Sequence, residues 1–307
     1  MQFLKLAKTP FKKGKIRDIY KIIKPISICN EPSENMLALN ATNRLSGFDR
    51  YLCDIPNKGK ILNQISAWWF KRSYSDLGIP NHLIRSDADG NNDTSVVQKC
   101  DVFPIEFVMR SYMTGSTQTS IWQNYKKGCR NFCGHELREG YIKNDKLDKI
   151  LLTPTTKSDE HDEAISKNEI IRRGIMTKEE WNKCEEYAYK LFEFGRKECA
   201  KRGLILVDTK YEFGINIDGT ILLVDEIHTP DSSRFWFSYN YEKRHAAGLE
   251  PDYIDKEFIR KWVKETYKDP YVKGLDIVIP QEMIEELSNR YKRLYGLITG
   301  MSVTHFL

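Results

Sequence analysis

Two apolar, β-rich runs, LILVDTKYEFGINI from Leu204 and TILLVDEIHTP from Thr220, flank the turn-forming pair Asp218-Gly219. Alternating strands joined by such a pair form a hairpin, and a hairpin this apolar requires a sheet to belong to. Alternation puts Thr209, Tyr211, Phe213, Ile215 and Ile217 on one face, and Asp208, Lys210 and Glu212 on the other. With Asp218 and Gly219 as the central pair of the turn, Ile217 faces Thr220, Ile215 faces Leu222, Phe213 faces Val224, and Glu212 lies across from Asp225. Two carboxylates held side by side repel one another, and a shared divalent cation is a reason to keep them together. Mg²⁺ suits such a pair better than Ca²⁺, because it takes one or two carboxylates and fills its sphere with phosphate oxygens and water. The plainer reading is that one acid points to water or pairs with a lysine, as most surface acids do. Lys210 balances only one of the two.

At 307 residues the chain is long enough for two lobes around substantial cores. With 40% hydrophobic and 30% charged residues it is an ordinary globular composition rather than a disordered one. The net charge of +5 is spread along the chain, which weakens a nucleic-acid role, since phosphate-backbone binding requires a concentrated positive surface. Seven cysteines, an odd number with no secretory leader, imply reduced thiols in a cytosolic protein rather than a disulfide framework. Cys129, Cys133 and His135 are close in sequence, but no second Cys/His pair supplies a fourth ligand, so incidental thiols are favoured over zinc. Lys5, Lys8, Lys12 and Lys13 interrupt any signal-like stretch, and no apolar run reaches the ~20 residues that span a bilayer.

Residues 11–24 read as a glycine turn leading into a strand. Gly14 would let the backbone approach a phosphate, and Lys15 and Arg17, two apart, would project from one strand face. A solvated hairpin tip accounts for the same residues equally well. Ile61, Leu62, Ile65, Trp68 and Trp69 recur at helical spacing between Asn57 and Tyr74. Residues 85–95 form an exposed loop ahead of a strand around 96–110. Residues 126–168 show no period and are expected to be a long loop over a binding cleft. Thr177 with Glu180 makes a capping box for a helix ending near Gly203, and a last helix runs from about Pro280 to Gly296.

Taken in order, GKIRDIY, ATNRLSGFD, FPIEFVMRSYMTGS, TPTTKSDEHD, LILVDTKYEFG and LLVDEIHTPDSSRFW resemble the SAICAR synthetase family from near the N-terminus to about residue 236. The resemblance implies an α+β fold in two lobes, related to ATP-grasp and kinase-like nucleotide clefts. The lobes are expected at 1–102, β-rich and nucleotide-binding, and at 103–307, carrying metal and substrate sites. It implies ATP- and Mg²⁺-dependent joining of L-aspartate to carboxyaminoimidazole ribonucleotide (CAIR) through an acyl phosphate, in a cytoplasmic monomer or homodimer without nucleic-acid or membrane partners. By the same resemblance Gly14, Lys15 and Arg17 cover the ATP phosphates and Lys99 to Val102 line the adenine pocket. Glu212 and Asp225 hold metal and nucleotide, and with Lys210 form the catalytic set. Arg110, Ser116 and Arg234 hold the ribonucleotide, Lys210 and Asp162 stand at the reacting carboxylate, and Asp208 is a further substrate-binding residue. Two departures stand out: TQTSIWQNYKKGCRNFCGHE after TGS is longer than in some members, and ATNRLSGFD has asparagine and glycine where the family form is ATDRISAYD. A small-molecule kinase and a basic nucleic-acid-binding module are the rival readings.

Overall fold

A computed structural model describes residues 5–24, 33–87, 90–157 and 163–306. The chain forms two compact units, and their division is not the single cut expected after residue 102. The first unit takes the chain up to Asp101, and also Ile215–Val224 and Phe258–Leu307; the second takes Val102–Gly214 and Asp225–Glu257. Hydrophobic periodicity reveals the last helix but not which core receives it. That helix, Gln281–Thr299, buries Leu287, Tyr291, Leu294 and Ile298, and Ser288 donates to the Pro56 carbonyl at 2.8 Å.

The first unit is built on an antiparallel sheet in the order Lys5–Leu6, Arg17–Lys24, Met36–Ala41, Thr94–Gln98, Leu83–Arg85, with Lys12–Lys13 also paired to Arg17–Lys24. Ile22, Met36, Ala38 and Val96 form a small buried cluster on it. Helix Lys58–Leu77 packs on the 36–41 strand and buries Ile61, Leu62, Ile65 and Trp69. Its first turn passes so close to the sheet that a Cβ on Gly59 would stand 2.1 Å from the Ala41 carbonyl oxygen, and only glycine permits that approach. The Asn43 side chain accepts from the Gly59 N–H, which gives this asparagine a definite role at the start of the helix.

In the second unit, strand Leu204–Ile215 pairs antiparallel with Ile105–Tyr112 and with Ser233–Phe237; Ile105–Tyr112 pairs in turn with Lys146–Leu152. The odd-numbered residues Tyr211 and Phe213 are fully buried. Helix Lys178–Ala200 packs against the 105–112 strand, with Phe107 stacked on Trp181 at 5.0 Å. The expected capping box is present: Thr177 accepts from the Glu180 N–H, and Glu180 accepts from the Thr177 N–H.

Two local expectations fail. Asn216 N–H donates to the Thr220 carbonyl, and Gly219 N–H to the Asn216 carbonyl, so the turn holds three residues, Ile217, Asp218 and Gly219. Ile217 is therefore 74% exposed instead of facing the core. Asn216 decides this, because its side chain accepts from both the Asp218 and Thr220 N–H groups and favours the longer loop. Residues 126–168 are likewise not a structureless loop. Ile121, Tyr125, Phe132, Leu137, Tyr141, Leu147 and Leu151 pack around Met113 as a core of their own, threaded by the short strands Asn131–Phe132 and His135–Glu136.

Candidate active site

The second unit gathers its charge on the even-numbered face of the 204–215 strand. Sheet register places Arg110 opposite Asp208, and Asp208 opposite Arg234, so three strands contribute one row of alternating charge. Arg234 donates to Asp208 Oδ2 at 2.6 Å and to Glu257 at 3.2 Å, while Arg110 lies 3.6 Å from the same Asp208 oxygen and donates to Thr153 at 2.8 Å. Burial opposes both guanidinium charges. It prevails at Arg110, whose pKa is lowered, and is outweighed at Arg234 by Asp208, Glu257 and Asp255, which raise it. Both remain cations at neutral pH, as arginine does in proteins. Gly115, at φ 116°, turns the chain beside this row, and a Cβ there would stand 3.4 Å from Arg234 and only 2.4 Å from the Ser120 Cβ. The turn that presents Ser116 therefore depends on glycine.

One step along the same face, Glu212 is nearly buried and has both oxygens occupied. Lys157 donates to Oε2 at 2.5 Å and Lys210 to Oε1 at 3.1 Å. Lys210 also donates to Glu106 at 2.5 Å. Burial alone would push the Glu212 carboxyl up, but the two ammonium groups outweigh it and hold it at about 2. Burial likewise opposes the Lys210 charge, and Glu106, Glu212 and Asp225 together raise it well above the usual lysine range. Asp225 thus acts electrostatically on the same ammonium as Glu212. The formal charge of Glu106, Glu212, Asp225, Lys157 and Lys210 is −3 + 2 = −1.

The three carboxylates offer only oxygen donors and outweigh the two ammonium groups by one charge, a balance that suits a hard divalent cation. No group of three or more His, Cys, Asp or Glu is gathered as a metal cage among the described residues. The carboxylates of Glu212 and Asp225 are the oxygen donors that a divalent cation would need here. At the other candidate metal cluster, the His135 Nε2 is engaged by the Leu152 carbonyl at 2.7 Å and Cys129 by the Asn131 carbonyl, as expected of incidental side chains.

The first unit places Gly14 in the tight turn between its paired strands, where a Cβ would meet the Arg17 carbonyl oxygen at 2.6 Å. Lys15 lies in that turn rather than on the strand, so it does not share a strand face with Arg17; it pairs with Asp49 at 3.4 Å. Arg44, from the ATNRLSGFD string, clamps the same turn: it donates to both Asp18 oxygens, at 2.6 and 3.0 Å, and to the Gly14 carbonyl. Lys99 is exposed on the connection following Thr94–Gln98, its N–H bonded to the Asn35 carbonyl, and Val102 is exposed in the short strand Asp101–Val102 that pairs with Leu204–Ile215. Asp162 lies outside the described residues.

Sequence reasoning missed Glu106, Lys157, Arg44 and Glu257. Glu106 shares the alternation of Arg110 in FPIEFVMR, and Lys157 sits in TPTTKSDEHD, so both were within reach as same-face or same-string residues. Their grouping with Glu212 and Lys210 was not, because the pairing of strands a hundred residues apart has no local signature.

Comparison with known proteins gives a consistent result. The SAICAR synthetase family profile matches residues 10–275. A chloroplastic phosphoribosylaminoimidazole-succinocarboxamide synthase of Arabidopsis thaliana is 49% identical over 291 residues, covering 95% of this chain and 67% of the plant protein. The synthase of Legionella pneumophila (strain Paris) is 47% identical over 293 residues, covering 95% and 88%. Among solved structures, the SAICAR-synthase from Saccharomyces cerevisiae complexed with SAICAR superposes with a TM-score of 0.76 at 28% identity, covering 98% and 97% of the chains. A type-2 SAICAR synthetase in complex with ADP superposes at 0.67 with 26% identity, covering 95% and 98%.

Proposed function

This chain belongs to the SAICAR synthetase family and catalyses its ligase step in purine biosynthesis, and we propose that it does so with Mg²⁺ held by Glu212 and Asp225 beside Lys210. In that step L-aspartate is joined to the carboxylate of CAIR, giving SAICAR, ADP and phosphate. A carboxylate is a poor electrophile because its leaving group would be oxide. Transfer of the ATP γ-phosphoryl group converts it to an acyl phosphate, which the aspartate amine then attacks with release of phosphate.

The observation that carries the reading is Glu212, enclosed by two ammonium groups, one of which also feels the charge of Asp225. Lys210 and Lys157 place positive charge where phosphoryl oxygens gain negative charge, the most productive use of preorganised groups in phosphoryl transfer. When bound, Mg²⁺ supplies further neutralisation of the ATP phosphates. Arg110 and Arg234 form planar forks suited to a phosphate monoester, and Ser116, on the glycine-dependent turn, adds a hydroxyl; we assign the three to the ribonucleotide. Gly14, Lys15 and Arg17 are assigned to the ATP phosphates, Lys99 and Val102 to the adenine, and Asp208 and Asp162 to the acceptor end. We place the protein in the cytosol as a monomer or homodimer; no described helix is long and apolar enough to cross a membrane.

The test is ADP release with CAIR, aspartate and Mg²⁺ each omitted in turn, the product identified by mass. Turnover should require all three. ADP release that continues without aspartate would convert the reading to a kinase, and turnover in metal-free buffer would remove Mg²⁺.

A further inference from the structure

The turn that carries Asp225 has an uncommon backbone. Asp225 at φ 63° and His228 at φ 48° both lie in the left-handed region without being glycine. Asp and His enter that region more readily than most side chains, but still at a cost that the surroundings must offset. His228 is fully buried, and its Nε2 meets the Tyr211 hydroxyl at 2.5 Å. Its ring edge occupies a notch in helix Lys178–Ala200 at Gly195, where a Cβ would stand 2.3 Å from the imidazole Cε1 and 2.8 Å from Nδ1. The other end of the turn is tied by Thr229, whose hydroxyl donates to Glu226 at 2.6 Å and whose carbonyl accepts from the Ser233 N–H.

Tyr211 immediately precedes Glu212, so the two side chains leave the strand on opposite faces. The pin therefore sits behind the charged face and joins the Asp225 turn to the very strand that presents Glu212. We infer that His228 is a positioning residue: locked between Tyr211 and Gly195, it holds the Asp225–His228 turn in the conformation that brings Asp225 to the cation site shared with Glu212. This rests on the reading of Glu212 and Asp225 as cation-holding residues. A purely packing role for the imidazole would affect stability and leave cation affinity alone.

The two are separated by titrating the full chain with Mn²⁺ in the presence of ADP, following the free aquo ion by electron paramagnetic resonance. Supporting groups behind a metal site typically alter affinity on the order of 10-fold. Tyr211→Phe, which removes one hydroxyl and keeps the ring, and His228→Leu should therefore each weaken Mn²⁺ by roughly that factor. Their ADP affinity without metal should be unchanged, and raising Mg²⁺ should restore turnover in Tyr211→Phe. If His228→Leu does not fold, Tyr211→Phe decides alone. Asp225→Asn is the reference. Mn²⁺ binding lost in Asp225→Asn but unaltered in Tyr211→Phe and His228→Leu overturns the positioning role alone. Unaltered binding in Asp225→Asn removes the cation reading and the inference with it.

Discussion

Two charged clusters lie on one face of the same strand and are built differently. In the Arg110–Asp208–Arg234–Glu257 row every side chain is between 6% and 11% exposed, and the cations are planar forks fixed by register. Around Glu212 the anion is equally buried, at 6%, but its cations Lys210 and Lys157 are 30% and 40% exposed and sit on flexible stems. The first is a rigid cluster whose charges are already paired. The second can rearrange, since an ammonium displaced from Glu212 has water to turn to. A rigid cluster suits the part of a substrate that stays constant through a reaction; an adjustable one suits the part whose charge changes.

Stability measurements should separate the two most sharply. Arg234→Met leaves Asp208 and Glu257 buried without their shared cation, and breaking such pairs costs about 3–5 kcal/mol, read from denaturant unfolding. Glu212→Gln frees two lysines that reach solvent, so its cost should be much smaller. Its turnover should nonetheless fall about 10²–10³-fold, the loss typical of one preorganised charge-stabilising group. Comparable destabilisation in the two variants would break the comparison.

Asp255 belongs to the rigid side: it is fully buried and accepts from the Phe235 and Glu257 N–H groups, and burial raises its carboxyl to about 7. Its folded-state pKa exceeds the unfolded value, so its contribution to stability is complete below about 4 and is lost as pH rises through 7. Burial depresses His228 to about 3, so its contribution is complete above about 6.5 and is lost as pH falls towards 3. Between about pH 4 and 6.5 the two slopes oppose each other. Asp255→Asn should remove one of them, and the stability difference between protein and variant should change by about 1.4 kcal/mol per pH unit in that window. A constant difference would show that Asp255 ionises normally.

The smallest effect belongs to Lys157→Gln. With its side chain 40% exposed, it should alter stability by less than about 1 kcal/mol while lowering turnover about 10-fold or more. A large stability loss without a catalytic one would make Lys157 a structural residue.

What was legible in the sequence follows from the range of the interaction concerned. The capping box at Thr177, the alternation of the 204–215 strand and the existence of the last helix depend on residues within a few positions of one another, and the structure contains all three. The turn at Asp218 was misread by one residue because the Asn216 side chain, rather than the Asp-Gly pair, sets its length. Asp225 nevertheless acts electrostatically on Lys210, and it has a left-handed backbone that periodicity does not encode. Glu106 and Lys157 were missed because their roles exist only once distant strands are in register. The small core around Tyr125 was missed because its apolar residues are spaced irregularly, as a hairpin and loops require.

The first unit contains both the beginning of the chain and Phe258–Leu307. During synthesis the segment up to Asp101 emerges early yet lacks the surface that Leu287, Tyr291 and Leu294 will cover, whereas the second unit has all its pieces once Glu257 has appeared. Order of manufacture and order of completion are thus reversed between the two units: the segment up to Asp101 is completed only by residues that follow Glu257.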